Sequence, residues 1–281
     1  MVKNEKKHAV STIFDLPVDA LTMDQVLDMV HEMVVNRGRL QIGVVNVAKV
    51  VNMRRNHLLR EDVLSSDIIL ADGSGIVAAF RLLGSPVPQR VPGIDLMFRM
   101  LEQGNRHGYR VYCLGASEDI SEKIEKRIRS EYSNVELVGR HNGYFSDSEE
   151  RSIAKAIGVA DPDVLFVAMS SPKKEKFIAR WGEAIGARII HGVGGSFDVM
   201  AGKTQRAPVA WQRIGLEWLY RVKEEPGRMW RRYLVTNTLF LGMLVSELMH
   251  RRVLHKAVKS DFSSVRNLRS PGSDFLANQA E

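Results

Sequence analysis

The chain has 281 residues, 44% of them hydrophobic and 26% charged, with a formal net charge of +7. This length can bury a full core, as one large domain or as one domain with an appendage. Cys113 is the only cysteine, which excludes an intrachain disulfide and fits a reducing cytoplasm.

The charge is uneven. Residues 206–269 hold thirteen Lys/Arg against five Asp/Glu, a balance of +8, so the rest of the chain is close to neutral. A basic C-terminal part can serve anionic lipid, nucleic acid or a phosphorylated substrate. The first ten residues carry Lys3, Lys6 and Lys7 without an apolar run behind them, so no signal peptide is expected.

In chain order, Ala9 to Leu16 reads as an edge strand, and Thr22 caps a helix through about Val35. Gln41 to Asn46 (Q-I-G-V-V-N) has the pattern of a buried strand, followed by a helix through Arg55. Asp67 to Ala71 is a second strand, ending at Asp72-Gly73, and Gly75 to Leu83 a helix. A loop with Pro86, Pro88, Arg90, Pro92 and Gly93 leads into a helix from near Asp95. Arg110 to Leu114 is a strand turning at Gly115, with a helix from Glu118 to Tyr132 and a short strand from Val135 to Gly139. Ser148 starts the next helix, with Glu149 and Glu150 in its first turn. Asp163 to Met169 (D-V-L-F-V-A-M) is a strand, Ser171-Pro172 opens a helix, and Arg188 to Val193 closes the sheet. Pro208 opens a further amphipathic helix bearing Trp211, Leu216, Trp218 and Leu219.

Continuous apolar strands alternating with helices predict an α/β, Rossmann-like fold: a mostly parallel sheet with helices on both faces, plus a basic helical C-terminal appendage. The expected boundaries are a catalytic domain over 1–205, the appendage over 206–260 and a disordered tail over 261–281. Ligands of such folds sit outside the carboxyl ends of the strands. Asn46, Asp72, Gly115, Ser170 and the loop of Gly192, Gly194 and Gly195 fall there. The glycine loop followed by Arg206 suggests an anionic ligand, or else a tight turn before an ordinary helix.

Asp72 is the carboxylate at a central strand end. It reads either as a general base that takes a proton from an attacking alcohol or as the cap of the next helix. Asn46 reads as a group orienting a hydroxyl or as a strand-end cap. Asp161-Pro162-Asp163 precedes its strand and reads as a turn on the opposite rim, and His191 reads as a packed histidine. The histidines show no paired ligand spacing, so no metal and no cofactor is expected. G-x-G-G at Gly192 lacks the full dinucleotide spacing, and no P-loop or nucleophile elbow is present. Without a metal, a departing diphosphate needs arginines, helix N-termini or backbone N–H groups. Arg221, Arg228 and Arg231 lie seven and three residues apart, close to whole helical turns, and either converge on one target or face solvent or lipid.

Six blocks then carry a resemblance. They are A-D-G-S-G-I-V (Ala71–Val77), R-V-P-G-I-D-L (Arg90–Leu96), L-G-A-S (Leu114–Ser117), N-G-Y-F (Asn142–Phe145), M-S-S-P-K-K-E (Met169–Glu175) and G-V-G-G-S-F-D with the later R-A-P and G-L-E-W-L-Y-R. In this order, over roughly Asn46 to Arg231, they resemble the WecG/TagA/CpsF glycosyltransferases, glycosyltransferase family 26, which includes N-acetylmannosaminyltransferases of cell-envelope polymer synthesis. The resemblance implies inverting, metal-independent transfer from a UDP-sugar to a polyprenyl-diphosphate-linked sugar at the cytoplasmic membrane face. It implies Asp72 and Asn46 as catalytic residues. Gly115, Lys174, Gly192, Gly194, Gly195, Arg206, Arg221, Arg228 and Arg231 would bind the donor diphosphate, and Arg90, Gly93 and Asp95 would form the acceptor pocket. Val44, Ser170 and Lys174 stand where the family often has threonine, glycine and glutamine.

Two other readings compete. A NAD-dependent oxidoreductase or epimerase needs a complete glycine fingerprint. A nucleic-acid-binding protein needs aromatics interleaved along a basic face, whereas here they sit in an apolar helix. Tyr233 to Ser246 is an uncharged apolar run of fourteen residues between basic flanks. A membrane span takes roughly twenty, so a helix lying in an anionic membrane surface is expected, the alternatives being a span extended through Met249, a packed helix or a contact in a homo-oligomer.

Overall fold

The computed structural model describes residues 8–85 and 87–267, apart from the side chains of Arg228 and of residues 252–267. Strands β1 (Val10–Ile13) and β2 (Leu16–Asp19) form an antiparallel hairpin. The single strand expected over Ala9–Leu16 is thus two, because Phe14 and Asp15 both take positive φ (51° and 57°), the backbone of a tight two-residue hairpin turn. Asp19 Oδ2 accepts the Ile69 N–H at 2.6 Å and so ties the hairpin to the main sheet.

Helix α1 (Met23–Val35) opens with a reciprocal cap between Thr22 and Gln25. Then follow β3 (Leu40–Val45), α2 (Val47–Arg55), α3 (His57–Leu64), β4 (Ile68–Ala71), α4 (Ser74–Leu82) and α5 (Gly93–His107). The second half holds β5 (Arg110–Gly115), α6 (Glu118–Glu131), β6 (Glu136–His141), α7 (Glu150–Val159), β7 (Val164–Ala168), α8 (Lys173–Ile185), β8 (Ile189–Gly192) and α9 (Ser196–Met200). Helix α7 starts two residues after Ser148, which lies in the preceding turn.

The main sheet has six parallel strands in the order β4-β3-β8-β7-β5-β6, covered by helices on both faces. This is the Rossmann-like α/β architecture. Strand β7 shows why its sequence is apolar throughout. Val164, Phe166 and Ala168 join a core with α1, α5 and α6, while Leu165 and Val167 join a second core with α7 and α8. Burying each of the larger side chains contributes about 1.5–3 kcal/mol.

The last strand in sequence, β8, lies between β3 and β7 rather than at an edge. Its apolar residues are buried on both sides, as a central strand demands. After β3 the chain enters α2, which packs on α3 and through it on α8. After β8 it enters α9, which packs on α5 and α6. Adjacent strands whose chains depart to opposite faces leave a crevice at their carboxyl ends.

Beyond the sheet come α10 (Val209–Arg213), α11 (Glu217–Glu224) and α12 (Pro226–Asn267). The one helix expected from Pro208 through Leu219 is divided at Gly215, whose φ of 78° is left-handed and ends a right-handed helix. Residues up to Asn237 belong to one compact unit, and a second begins at Thr238. Helix α12 continues to Asn267, so residues 261–267 are helical where a disordered tail was expected; residues 268–281 lie outside the described residues. Among the described residues no helix is long and apolar enough to cross a membrane.

Candidate active site at the carboxyl rim

Strand β4, expected to be central, is an edge strand, and its parallel pairing with β3 sets Val45 beside Ala71 and brings Asn46 and Asp72 to one rim. The Asp72 N–H donates to the Val45 carbonyl at 2.9 Å, continuing the ladder by one residue. Asp72 does not cap α4, whose cap residue is Gly73 and which opens without a side-chain cap. Its Oδ1 instead accepts the Gly93 N–H at 3.2 Å, and no described donor reaches Oδ2. Asn46 does cap: its Oδ1 accepts the Lys49 N–H at 3.0 Å at the start of α2, which leaves its amide group for other work.

Burial pushes the Asp72 carboxyl above the ordinary carboxylate range. The Gly93 N–H and the charges of Arg221 and Lys49 pull it partly back, and Glu217 pushes it up again. A base of this kind is better matched to an alcohol than an unperturbed aspartate is. The Gly93 carbonyl accepts from His191 Nε2 at 3.0 Å. Burial holds the His191 imidazole down at about 4, so it is neutral and carries its proton on Nε2. The expectation of a packed histidine is met, and it holds Gly93, the residue whose N–H orients Asp72.

A second group was not legible as a site in the sequence. Lys49 Nζ lies 2.8 Å and Lys174 Nζ 3.5 Å from Glu175 Oε1, with side chains 10%, 9% and 7% exposed. Burial would raise the Glu175 carboxyl, but the two lysines bring it down to about 2. Burial, and then Lys49, lowers the Lys174 ammonium to about 8. Glu175 Oε2 is buried without a hydrogen bond. The three side chains border a cavity of about 20 Å³ with Gln41, Ser66 and Gly192, room for one water. Gly192 is needed here, because a Cβ would lie 2.8 Å from Lys174 Cδ and 2.9 Å from its Cε. Gly194 sits over the ammonium itself, its Cβ position 3.7 Å from Lys174 Nζ. Gly195 follows as the cap residue of α9. The glycine loop therefore lies over a buried cation, an arrangement suited to an anionic group.

Arg206 makes a two-pronged ion pair with Asp95, at 2.5 and 2.8 Å, and Arg90 pairs with Glu217 at 2.5 Å. Arg221 acts on Asp72 and borders a cavity of about 10 Å³ with Arg206 and Glu217. Gly115 stands at the end of β5, across β7 from the glycine loop, its backbone packed on the Ala168 carbonyl. Arg231 does not join the cluster: its guanidinium lies over the Trp230 ring. The Arg228 side chain is outside those described. Asp163 accepts the Arg110 N–H at the opposite, amino-terminal rim, as a turn residue there would. Among the described residues no three His, Cys, Asp or Glu side chains group as metal ligands.

The structure thus brings Asp72, Asn46, Gly93, Lys174, Arg221 and the glycine loop to the β3–β8 crevice and its flanks. Lys49, Glu175 and Glu217 were missed as working parts. Glu175 and Glu217 lay within recognised blocks, and Lys49, in the first turn after Asn46, carried no signal of its own.

The sequence matches the model of the Glycosyl transferase WecG/TagA/CpsF family over residues 11–254. It is also similar to proteins named N-acetylglucosaminyldiphosphoundecaprenol N-acetyl-beta-D-mannosaminyltransferase. The Bacillus spizizenii protein is 37% identical over 62% of this chain and 67% of its own length, and that of Bacillus subtilis 37% over 66% and 72%. The Staphylococcus aureus protein is 30% identical over 78% and 87%. With a family match across most of the chain and a strand-end aspartate in its crevice, the protein belongs to the WecG/TagA/CpsF family and is a glycosyltransferase.

Proposed function

We propose that the enzyme moves an N-acetylmannosaminyl group from a UDP-linked donor to N-acetylglucosamine carried on a polyprenyl diphosphate, with inversion and without a metal. The names of the similar proteins support the substrates. The observation that carries the chemistry is the Asp72 carboxylate, fixed through Oδ1 by Gly93 with Oδ2 open to a substrate hydroxyl. Asp72 takes the proton of the acceptor hydroxyl as its oxygen attacks the anomeric carbon. The bond from that carbon to the diphosphate breaks, and UDP leaves with the electron pair. One displacement from the opposite side inverts the anomeric centre. Lys174, Arg221 and the N–H groups of the glycine loop stabilise the charge gathering on the diphosphate. Asn46 orients the attacking hydroxyl.

The lipid acceptor stays in the bilayer, so the enzyme works at the cytoplasmic membrane surface. The exposed Leu234, Leu241 and Val245 of α12, on a basic background, support contact with anionic lipid. The test is a screen of UDP-sugars with short-chain polyprenyl-diphosphate-N-acetylglucosamine, reading released UDP. Release from UDP-N-acetylmannosamine that needs the acceptor and survives EDTA is expected. No release with any sugar rules out the transfer reading, and loss in EDTA restored by magnesium or manganese rules out its metal independence.

A further inference from the structure

Helix α11 supplies Arg221, and its first turn is fastened to the rim at two points. Just before the helix, the Gly215 carbonyl accepts from Ser74 Oγ at 3.0 Å. Within it, Glu217 is gripped by two arginines. Its Oε2 lies 2.5 Å from Arg90 Nη1 and its Oε1 3.7 Å from Arg206 Nε. Arg206 Nε is buried and makes no hydrogen bond, so Glu217 is the charge that faces it. Because Arg206 also grips Asp95, the charges alternate along the row Arg90, Glu217, Arg206, Asp95.

The row is more than a surface ion pair. All four side chains are between 20% and 31% exposed, so about two thirds or more of each is withdrawn from water. Isolated exposed pairs contribute little, whereas partly buried networks lose much when one member is removed. Three of the four members come from the rim and the loop that follows α9, and only Glu217 comes from α11. Arg221 is one turn further on, at i+4, and so lies on the same face of the helix. It borders the same small cavity as Arg206 and Glu217 and acts on Asp72.

We infer that Glu217 is a positioning residue: held between Arg90 and Arg206, it docks the first turn of α11 and presents Arg221 to Asp72 and the donor diphosphate. The inference rests on the transfer reaction proposed above. Arg90 and Asp95 are then parts of the cradle that receives the helix, and their charges are committed to it rather than to an acceptor sugar.

The test is a double-mutant cycle on the full-length enzyme with Glu217→Gln and Arg221→Ala, read as kcat/KM for UDP release. Hydrogen exchange over residues 215–224 is measured in parallel, with Glu217→Lys added to repel both arginines. Glu217→Gln is expected to lower kcat/KM by roughly tenfold or more. Arg221→Ala is then expected to cost less than about twofold further in that background, though far more in the wild type. Exchange over 215–224 should rise in both Glu217 variants while the strands stay protected. The pH profile adds a sign. Removing the Glu217 charge alone shifts the acid limb of Asp72 down, whereas withdrawing Arg221 shifts it up, and the upward shift is expected. Equal losses from Arg221→Ala in both backgrounds, unchanged exchange, or a downward shift each overturn the inference. A wild-type enzyme that releases no UDP defeats the transfer reading instead, and exchange still decides whether Glu217 docks α11.

Discussion

Asp72 and His191 are joined through one residue: Gly93 donates its N–H to Asp72 Oδ1 at 3.2 Å and accepts at its carbonyl from His191 Nε2 at 3.0 Å. A buried neutral imidazole thereby holds the residue that holds the carboxylate. Asp72 keeps one oxygen engaged and presents the other, and the orientation is set from inside the sheet rather than by solvent.

Replacing Asp72 by asparagine keeps the shape of the side chain and removes its basicity. UDP release should fall by roughly two to four orders of magnitude, the range for losing a general base. Donor binding and the unfolding temperature should change little. Turnover close to that of the wild type would remove Asp72 from the chemistry.

The pH dependence follows from the two perturbed groups. Asp72 works unprotonated, and burial raises its carboxyl, so activity should fall with decreasing pH at a point above the ordinary aspartate range. Lys174 works charged and titrates at about 8, so donor affinity should weaken as pH rises through that value. In Lys174→Arg the alkaline limb should move beyond the accessible range, because a guanidinium stays charged. An acid limb at or below the ordinary aspartate range would contradict the first assignment, and a profile flat through pH 8 the second.

Glu175 is the single carboxylate between two nearly buried lysines. Glu175→Gln leaves both without their ion-pair partner and should cost about 3–5 kcal/mol of stability, by the measure for breaking a buried pair. The wild type carries its own sign. The folded-state value of about 2 is below the unfolded one, so this contribution is complete above the ordinary glutamate range and is lost as pH falls toward 2. Thermal unfolding at neutral and acid pH checks both: the variant should be less stable near pH 7, and the gap should narrow in acid.

Membrane contact is tested by flotation with vesicles of anionic and of neutral lipid. The full chain should float with anionic vesicles, and less so as salt rises. A chain ending at Arg231 should stay soluble and remain at the bottom of the gradient. If it floats as well as the full chain, the contact lies outside the segment that carries Leu234, Leu241 and Val245.

The sequence by itself determined the architecture and the rim. Apolar runs such as Val164–Ala168 need cover on both faces, which requires a parallel sheet between helices, and the polar residues ending those runs must fall at one edge. Asp72 and the glycine loop were legible for that reason, since strand periodicity and strand ends are local properties. Only the tertiary structure decided that the last strand lies at the centre, and hence where the crevice opens. It alone decided that Lys49 meets Glu175 across 126 positions, that Arg90 meets Glu217 across 127, and that Asp72 and His191 both bond to Gly93. Such pairings depend on strand order and on which helix end comes to rest beside which. A charged residue on a helix looks the same in sequence whether it meets solvent or a partner brought in from the far side of the sheet.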